Sequence, residues 1–174
     1  MNTYRMAEDG VIRLADSAFI PADERNSDYL RYLAWVAQDN QPDPLMSLAD
    51  AQALALSELE IGCGNAIAAG FYSAALGKPY RYPAKLTDQS NLQASVLASL
   101  FPSLAEDWTT PFWCQDAAGT WAYRPHTAAQ IQRVGTDGKD AINACIAQKI
   151  LLEQQVAKAK TLAEVEAITW TAPQ

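Results

Sequence analysis

Histidine and cysteine are scarce in this sequence: there is one histidine, His126, and three cysteines, Cys63, Cys114 and Cys145, lie far apart along 174 residues. A zinc site needs a tight group of soft ligands, and a disulfide framework needs a denser, even set of thiols. No metal, no cofactor and no cross-link is therefore expected, and the cysteines read as reduced and buried. No serine stands in a G-x-S-x-G elbow, and neither a phosphate-binding glycine loop nor a dinucleotide fingerprint occurs. Basic charge is also in short supply, with 13 Lys plus Arg against 20 Asp plus Glu and a net charge of −7. That balance disfavours phosphate backbones and anionic bilayers, so neither nucleic acid nor membrane is an expected partner. The start of the chain has no basic segment leading into an apolar run, and the most apolar stretch, 48–76, contains Asp50, Glu58 and Glu60. Neither a secretion signal nor a membrane span is expected. Glycine, at eight residues, is too rare for a fibrous or low-complexity chain.

Against these absences, 49% of the residues are hydrophobic, with five Trp and seven Tyr. That is enough to bury a core in one ordinary domain, or in a domain of ~100 residues with a smaller attached element. Residues 11–20, "VIRLADSAFI", alternate partially and suggest a short hairpin or extended arm. Asn26 or Ser27 can then cap a helix carrying Tyr29, Leu30, Tyr32, Leu33, Trp35 and Val36, which Pro42 and Pro44 terminate. Ser47 starts a longer helix on which Gly62, Ala66 and Gly70 form a small-residue series at four-residue steps. Such a series permits a tight helix contact, while Gly62 and Gly64 equally permit a kink; the residues do not choose between the two.

Further on, Tyr80 and Tyr82 alternate with Lys78 and Arg81 as in a strand, and Thr87 or Asp88 can cap a third helix that ends at Pro102. The runs "FWCQ" and "TWAY" flank "DAAG" and predict a hairpin. Thr127 and Gln130 form a capping box, and the helix they start is expected to be interrupted or bent around 135–140, at "GTDGKD". Thr161 and Glu164 form a second box. The pattern predicts a mainly α, α+β fold, divided into a docking segment over 1–46, with a small β and helix element, and a helical body over 47–174 carrying one or two hairpins.

Reactive constellations are hard to draw from these residues. His126 beside a helix cap reads as packing among Trp121, Tyr123 and Pro125, and Glu58 with Glu60 lie two apart on a helix, off a common face. Trp108, Trp113 and Trp121 read first as core, with an aromatic platform for a sugar or a base as the alternative.

The runs "AIAAGFYSAALGKPYRYPAKLTDQSNLQASV", "GTWAYRPHTAAQIQRV" and "KILLEQQVAKAKTLAEVEAITW" resemble a phage tail domain, domain of unknown function 4376, over about residues 55–170. The segment "VIRLADSAFIPADERNSDYLRYLAWVAQDNQPDP" is similar to leader segments of tail-fibre and fibre-associated proteins. These resemblances imply a non-enzymatic structural protein of the virion tail, made in the host cytoplasm, with other tail or fibre proteins as partners and Tyr29, Tyr32 and Trp35 as the anchor. Because the chain ends about where the recognised domain does, a short tail or baseplate component, an adaptor or fibre-network subunit, is expected rather than a receptor-binding tip. A homo-oligomer is expected, trimeric by comparison with fibres, although no heptad run is long enough to establish it. The alternatives are an intracellular fibre assembly factor and a carbohydrate-binding module.

Overall fold

A computed structural model of the protein describes residues 3–173. Its first unit is an antiparallel meander of β1 (Tyr4–Ala7), β2 (Gly10–Arg13) and β3 (Ala18–Pro21), with helix α1 (Ser27–Val36) across it. The arm thus has three strands, not two. Strand β1 precedes the stretch in which alternation was legible, and it pairs Met6 with Val11. Alternation puts Tyr4, Val11 and Ile20 on one face, and Tyr32 of α1 closes a small core over them. Asn26 caps α1 through its side chain, which accepts from the Asp28 and Tyr29 backbone N–H groups. Arg13 of β2 reaches Asp28 at 3.5 Å and so ties helix to sheet. The exit segment is held as well, because Asp43 and β1 exchange backbone hydrogen bonds of 2.8 Å between Met6 N–H and Asp43 O and between Asp43 N–H and Tyr4 O.

The body contains α2 (Leu48–Ala68), β4 (Phe71–Ser73), β5 (Tyr80–Tyr82), α3 (Leu86–Ala98), β6 (Thr109–Gln115), β7 (Trp121–Thr127), α4 (Ala128–Lys158) and α5 (Leu162–Glu166). Its sheet runs β4-β5-β6-β7, antiparallel throughout, although α3 lies between β5 and β6 in sequence. The fold is therefore α+β, with five helices and two small antiparallel sheets among the described residues.

Helix α4 organises this body. Near its N terminus Ile131 and Val134 pack on Phe71, Tyr82 and Phe112 of the sheet, with Leu92 and Val96 of α3 alongside. Near its C terminus Leu152 and Val156 meet Ala51, Ala55 and Leu59 of α2, and Val165 of α5 joins them. Burying a Leu or Val of this kind stabilises by about 1.5–3 kcal/mol, so the two clusters hold most of the body together. Polar ties fix the pairing: the Gln52 amide donates to the Val156 and Ala159 carbonyls, and the Ser73 hydroxyl donates to Asp137 at 2.6 Å.

Three expectations about helices are corrected. Helix α4 runs unbroken through residues 135–140; its glycines are there because neighbours press against the backbone. A Cβ on Gly135 would stand 2.7 Å from a Val96 methyl, and one on Gly138 would stand 2.7 Å from the Phe71 ring. Helix α3 begins with Lys85 at the cap position, not Thr87 or Asp88, and Asp88 acts from inside the first turn by accepting the Lys85 backbone N–H at 3.0 Å. It also ends at Ala98, short of Pro102, where the Ser99 hydroxyl donates back to Val96 O and Gln132 of α4 donates to Ser99.

Candidate functional site

Tyr29, Tyr32 and Trp35 lie within the core of the N-terminal unit. Tyr4 meets Tyr32 edge-on at a centroid distance of 5.2 Å and Trp35 at 5.1 Å, and Tyr29 stands 5.6 Å from Tyr32. Tyr32 is buried and Tyr29 and Trp35 are half-buried, while Leu30 and Leu33 are the exposed large apolar residues of α1. Burial raises the Tyr32 phenol above its ordinary pKa.

The small-residue series meets three different surroundings. Gly62 lies under the Trp170 indole, whose Cγ would be 2.5 Å from an added Cβ, so a side chain from the C-terminal segment makes the close approach there. Ala66 is half-buried on the helix. Gly70 lies past the end of α2 with φ +96°, and its Cα faces the Tyr82 carbonyl so closely that a Cβ would be 2.2 Å from the oxygen. Helix α2 continues through Gly62 and Gly64 without interruption.

His126 is fully buried on the inner face of the sheet, against Tyr82 and Phe112, and not among Trp121 and Tyr123. Strand alternation explains the correction: His126 and Tyr123 have opposite parity on β7. Its Nδ1 is 2.8 Å from the Arg124 carbonyl, which only accepts, so Nδ1 carries the proton. Nε2 therefore accepts from the Tyr82 hydroxyl at 2.8 Å. Burial drives the His126 pKa down and the Tyr82 pKa up, and both groups stay neutral near pH 7. Arg124 extends the network: it donates to the Cys114 carbonyl and to Asp116 at 2.8 Å, and lies 4.8 Å over the Tyr80 ring. Every buried side-chain N or O atom among the described residues has a partner, so this network is a satisfied structural element, enclosed at Tyr82, His126 and Cys114 and partly open at Arg124 and Asp116.

The outer face of the same sheet is aromatic. Register sets Tyr72 beside Arg81, Arg81 beside Gln115 and Gln115 beside Trp121, and the neighbouring pair is Trp113 with Tyr123. Trp113 and Trp121 stack at 6.1 Å with 12° between planes, and Tyr123 leans on Trp113 at 4.8 Å. Tyr72 and Tyr123 are 69% and 68% exposed and Trp113 is 38% exposed, values unlike those of core aromatics. Trp108 alone of the three expected tryptophans joins the core. Two hollows flank Trp113: one of about 170 Å³ with Asp88, Asn91 and Tyr123, and one of about 430 Å³ with Arg81, Lys85, Thr87 and Trp121. Tyr72, Tyr123, Arg81 and Lys85 were missed in the sequence reading. Period-two alternation through "FWCQ" and "TWAY" carried the signal for Tyr123, but the register that aligns β4 and β5 with them is long-range.

A third, larger hollow of about 710 Å³ runs between α3 and α4, with Leu92, Val96, Leu97 and Leu100 on one wall and Gln132, Gly135 and Lys139 on the other. Among the described residues, no group of three His, Cys, Asp or Glu side chains could hold a metal ion, and no helix is long and apolar enough to cross a membrane.

The architecture is thus a helical α+β body with an open aromatic sheet face, preceded by a small unit with a core of its own. The family model described as Domain of unknown function (DUF4376) matches residues 50–169, and the chain belongs to that family. The match takes in nearly all of the body and none of the N-terminal sheet or α1. No curated protein and no solved structure matches the chain.

Proposed function

We propose that the protein is a non-enzymatic structural component of a phage tail, an adaptor in the tail fibre or baseplate that works through protein contacts. The observation that carries this reading is the separation of cores. Tyr4, Val11, Ile20 and Tyr32 close one cluster among themselves, and the family domain closes two others. A small, independently cored unit ahead of a larger body suits a linker of two neighbours, and the leader-like sequence of residues 11–44 agrees with it. Docking by the leader uses the face of α1 that carries Leu30 and Leu33, with the half-buried edges of Tyr29 and Trp35 beside it.

The partners in this reading are other tail or fibre proteins and further copies of the same chain. Its place is the virion tail, after synthesis in the host cytoplasm. Quantitative mass spectrometry of purified particles beside infected-cell lysate tests it. A fixed copy number per particle is the expected result; presence in lysate and absence from particles overturns it and favours the assembly factor.

A further inference from the structure

We propose that the outer face of the β4–β7 sheet is a carbohydrate site for an acidic saccharide, a role distinct from the structural one above. Sheet faces in small proteins normally bury their aromatics, yet here four rings, Tyr72, Trp113, Trp121 and Tyr123, share the uncovered face. Trp113 and Trp121 are nearly parallel, 12° apart, and stack on one another, which holds the exposed Trp113 indole in a fixed orientation. A pyranose ring offers a flat face of C–H groups with slight positive charge, which the negative face of an indole attracts.

The surroundings supply what a sugar needs besides stacking. Polar groups stand at the rims of both hollows, so a ring seated on Trp113 has hydroxyl partners on either side: Asp88 and Asn91 toward Tyr123, Arg81, Lys85 and Thr87 toward Trp121. Few, convergent polar groups around an apolar floor are the general build of a small-molecule site. The charge points to the class of sugar. On the Trp121 side two cations, Arg81 and Lys85, face one carboxylate, Asp88, within a chain of net charge −7. Arg81 uses one N–H on the Ala69 carbonyl at 2.7 Å, which fixes the guanidinium beside the platform, and Lys85 is exposed. Locally positive charge on an acidic protein complements a carboxylate-bearing sugar.

Calorimetric titration of the full chain with oligosaccharides of hexuronic acid, with neutral gluco-oligosaccharides and with a proline-rich peptide tests the assignment. Saturable binding of the acidic saccharide is expected, weakened about tenfold or more in Trp113→Ala and Tyr123→Ala, the order of effect a lost stacking ring has. Lys85→Gln should weaken the acidic ligand several-fold. Tyr123 and Lys85 are exposed, so these two variants keep the test sound where Trp113→Ala disturbs folding. No saturation by the acidic saccharide, equal affinity for the neutral one, binding of the peptide alone, or unchanged affinity in Tyr123→Ala overturns the proposal.

Discussion

The ring of Phe71 occupies the space that a side chain on Gly138 would need, 2.7 Å from the position of a Cβ. Strand β4 thereby reaches the α4 backbone itself, and Ser73 two residues on donates to Asp137. Gly138→Ala should cost about 1–3 kcal/mol through overpacking, despite the better helix propensity of alanine. Gly64, also inside a helix, has nothing within 4 Å of its Cβ position, and Gly64→Ala should stabilise by up to about 1 kcal/mol. Denaturant unfolding of the two variants checks the pair; similar effects at both sites would show that propensity, not packing, decides them.

The Tyr82–His126 pair gives stability a pH dependence with a definite sign. His126 is held below its ordinary 6.5, so as pH falls through 6.5 the unfolded chain takes up a proton that the folded chain refuses, and stability falls. Tyr82 is held above its ordinary 10.0, and Cys63, Cys114 and Cys145 above 9.0, so as pH rises past 9 the unfolded chain loses protons first and stability falls again. Chemical denaturation across pH should show a plateau between about 6.5 and 9. In His126→Gln the acid limb should shrink, and a loss of about 1–3 kcal/mol at neutral pH is expected if the Tyr82 hydroxyl is left unpaired.

What the sequence made legible was local. The caps at Asn26, Ser47, Thr127 and Thr161 work as read, because each cap is a contact between residues two or three apart. The turn at "DAAG" is local too, with the Asp116 carboxylate accepting from Ala118 and Thr120. What was misread depends on distant residues. Gly135 and Gly138 look like helix breakers until Val96 and Phe71 are placed against them, and His126 changes neighbours once strand parity sets it on the inner face. The aromatic platform needed the same long-range register: the sequence singles out Trp113 and Trp121, but their place on the outer face follows from α4 covering only the other face of the sheet.

Burial also bears on the thiols. Cys63, Cys114 and Cys145 are free and buried, and burial raises all three above their ordinary pKa. A thiol both covered and protonated is a poor nucleophile, so alkylation of the native chain at neutral pH should be slow at each site and fast after denaturation. Cys114, fully enclosed between Tyr82 and Arg124, should be the slowest. Peptide mapping after timed iodoacetamide exposure measures the order, and rapid native labelling of Cys114 would show that the sheet opens away from α4.

The homo-oligomer in the proposal needs a contact surface, and the helices offer one. Leu54 and Ile61 are exposed seven residues apart on α2, and Ile146 and Ile150 are exposed four apart on α4. Both spacings keep the residues on one helix face, and in a lone chain these side chains leave apolar area in water. Assembly of several copies through α2 and α4 would remove it, and a closed, symmetric oligomer is the form such contacts take. Sedimentation equilibrium of the full chain should give an oligomer, a trimer if the fibre comparison holds. Glutamate at Ile61 together with Ile150 should return it to monomers without loss of helix, since neither side chain belongs to a core cluster. A chain that stays monomeric at high concentration leaves these apolar residues for a different protein and removes the homo-oligomer from the proposal.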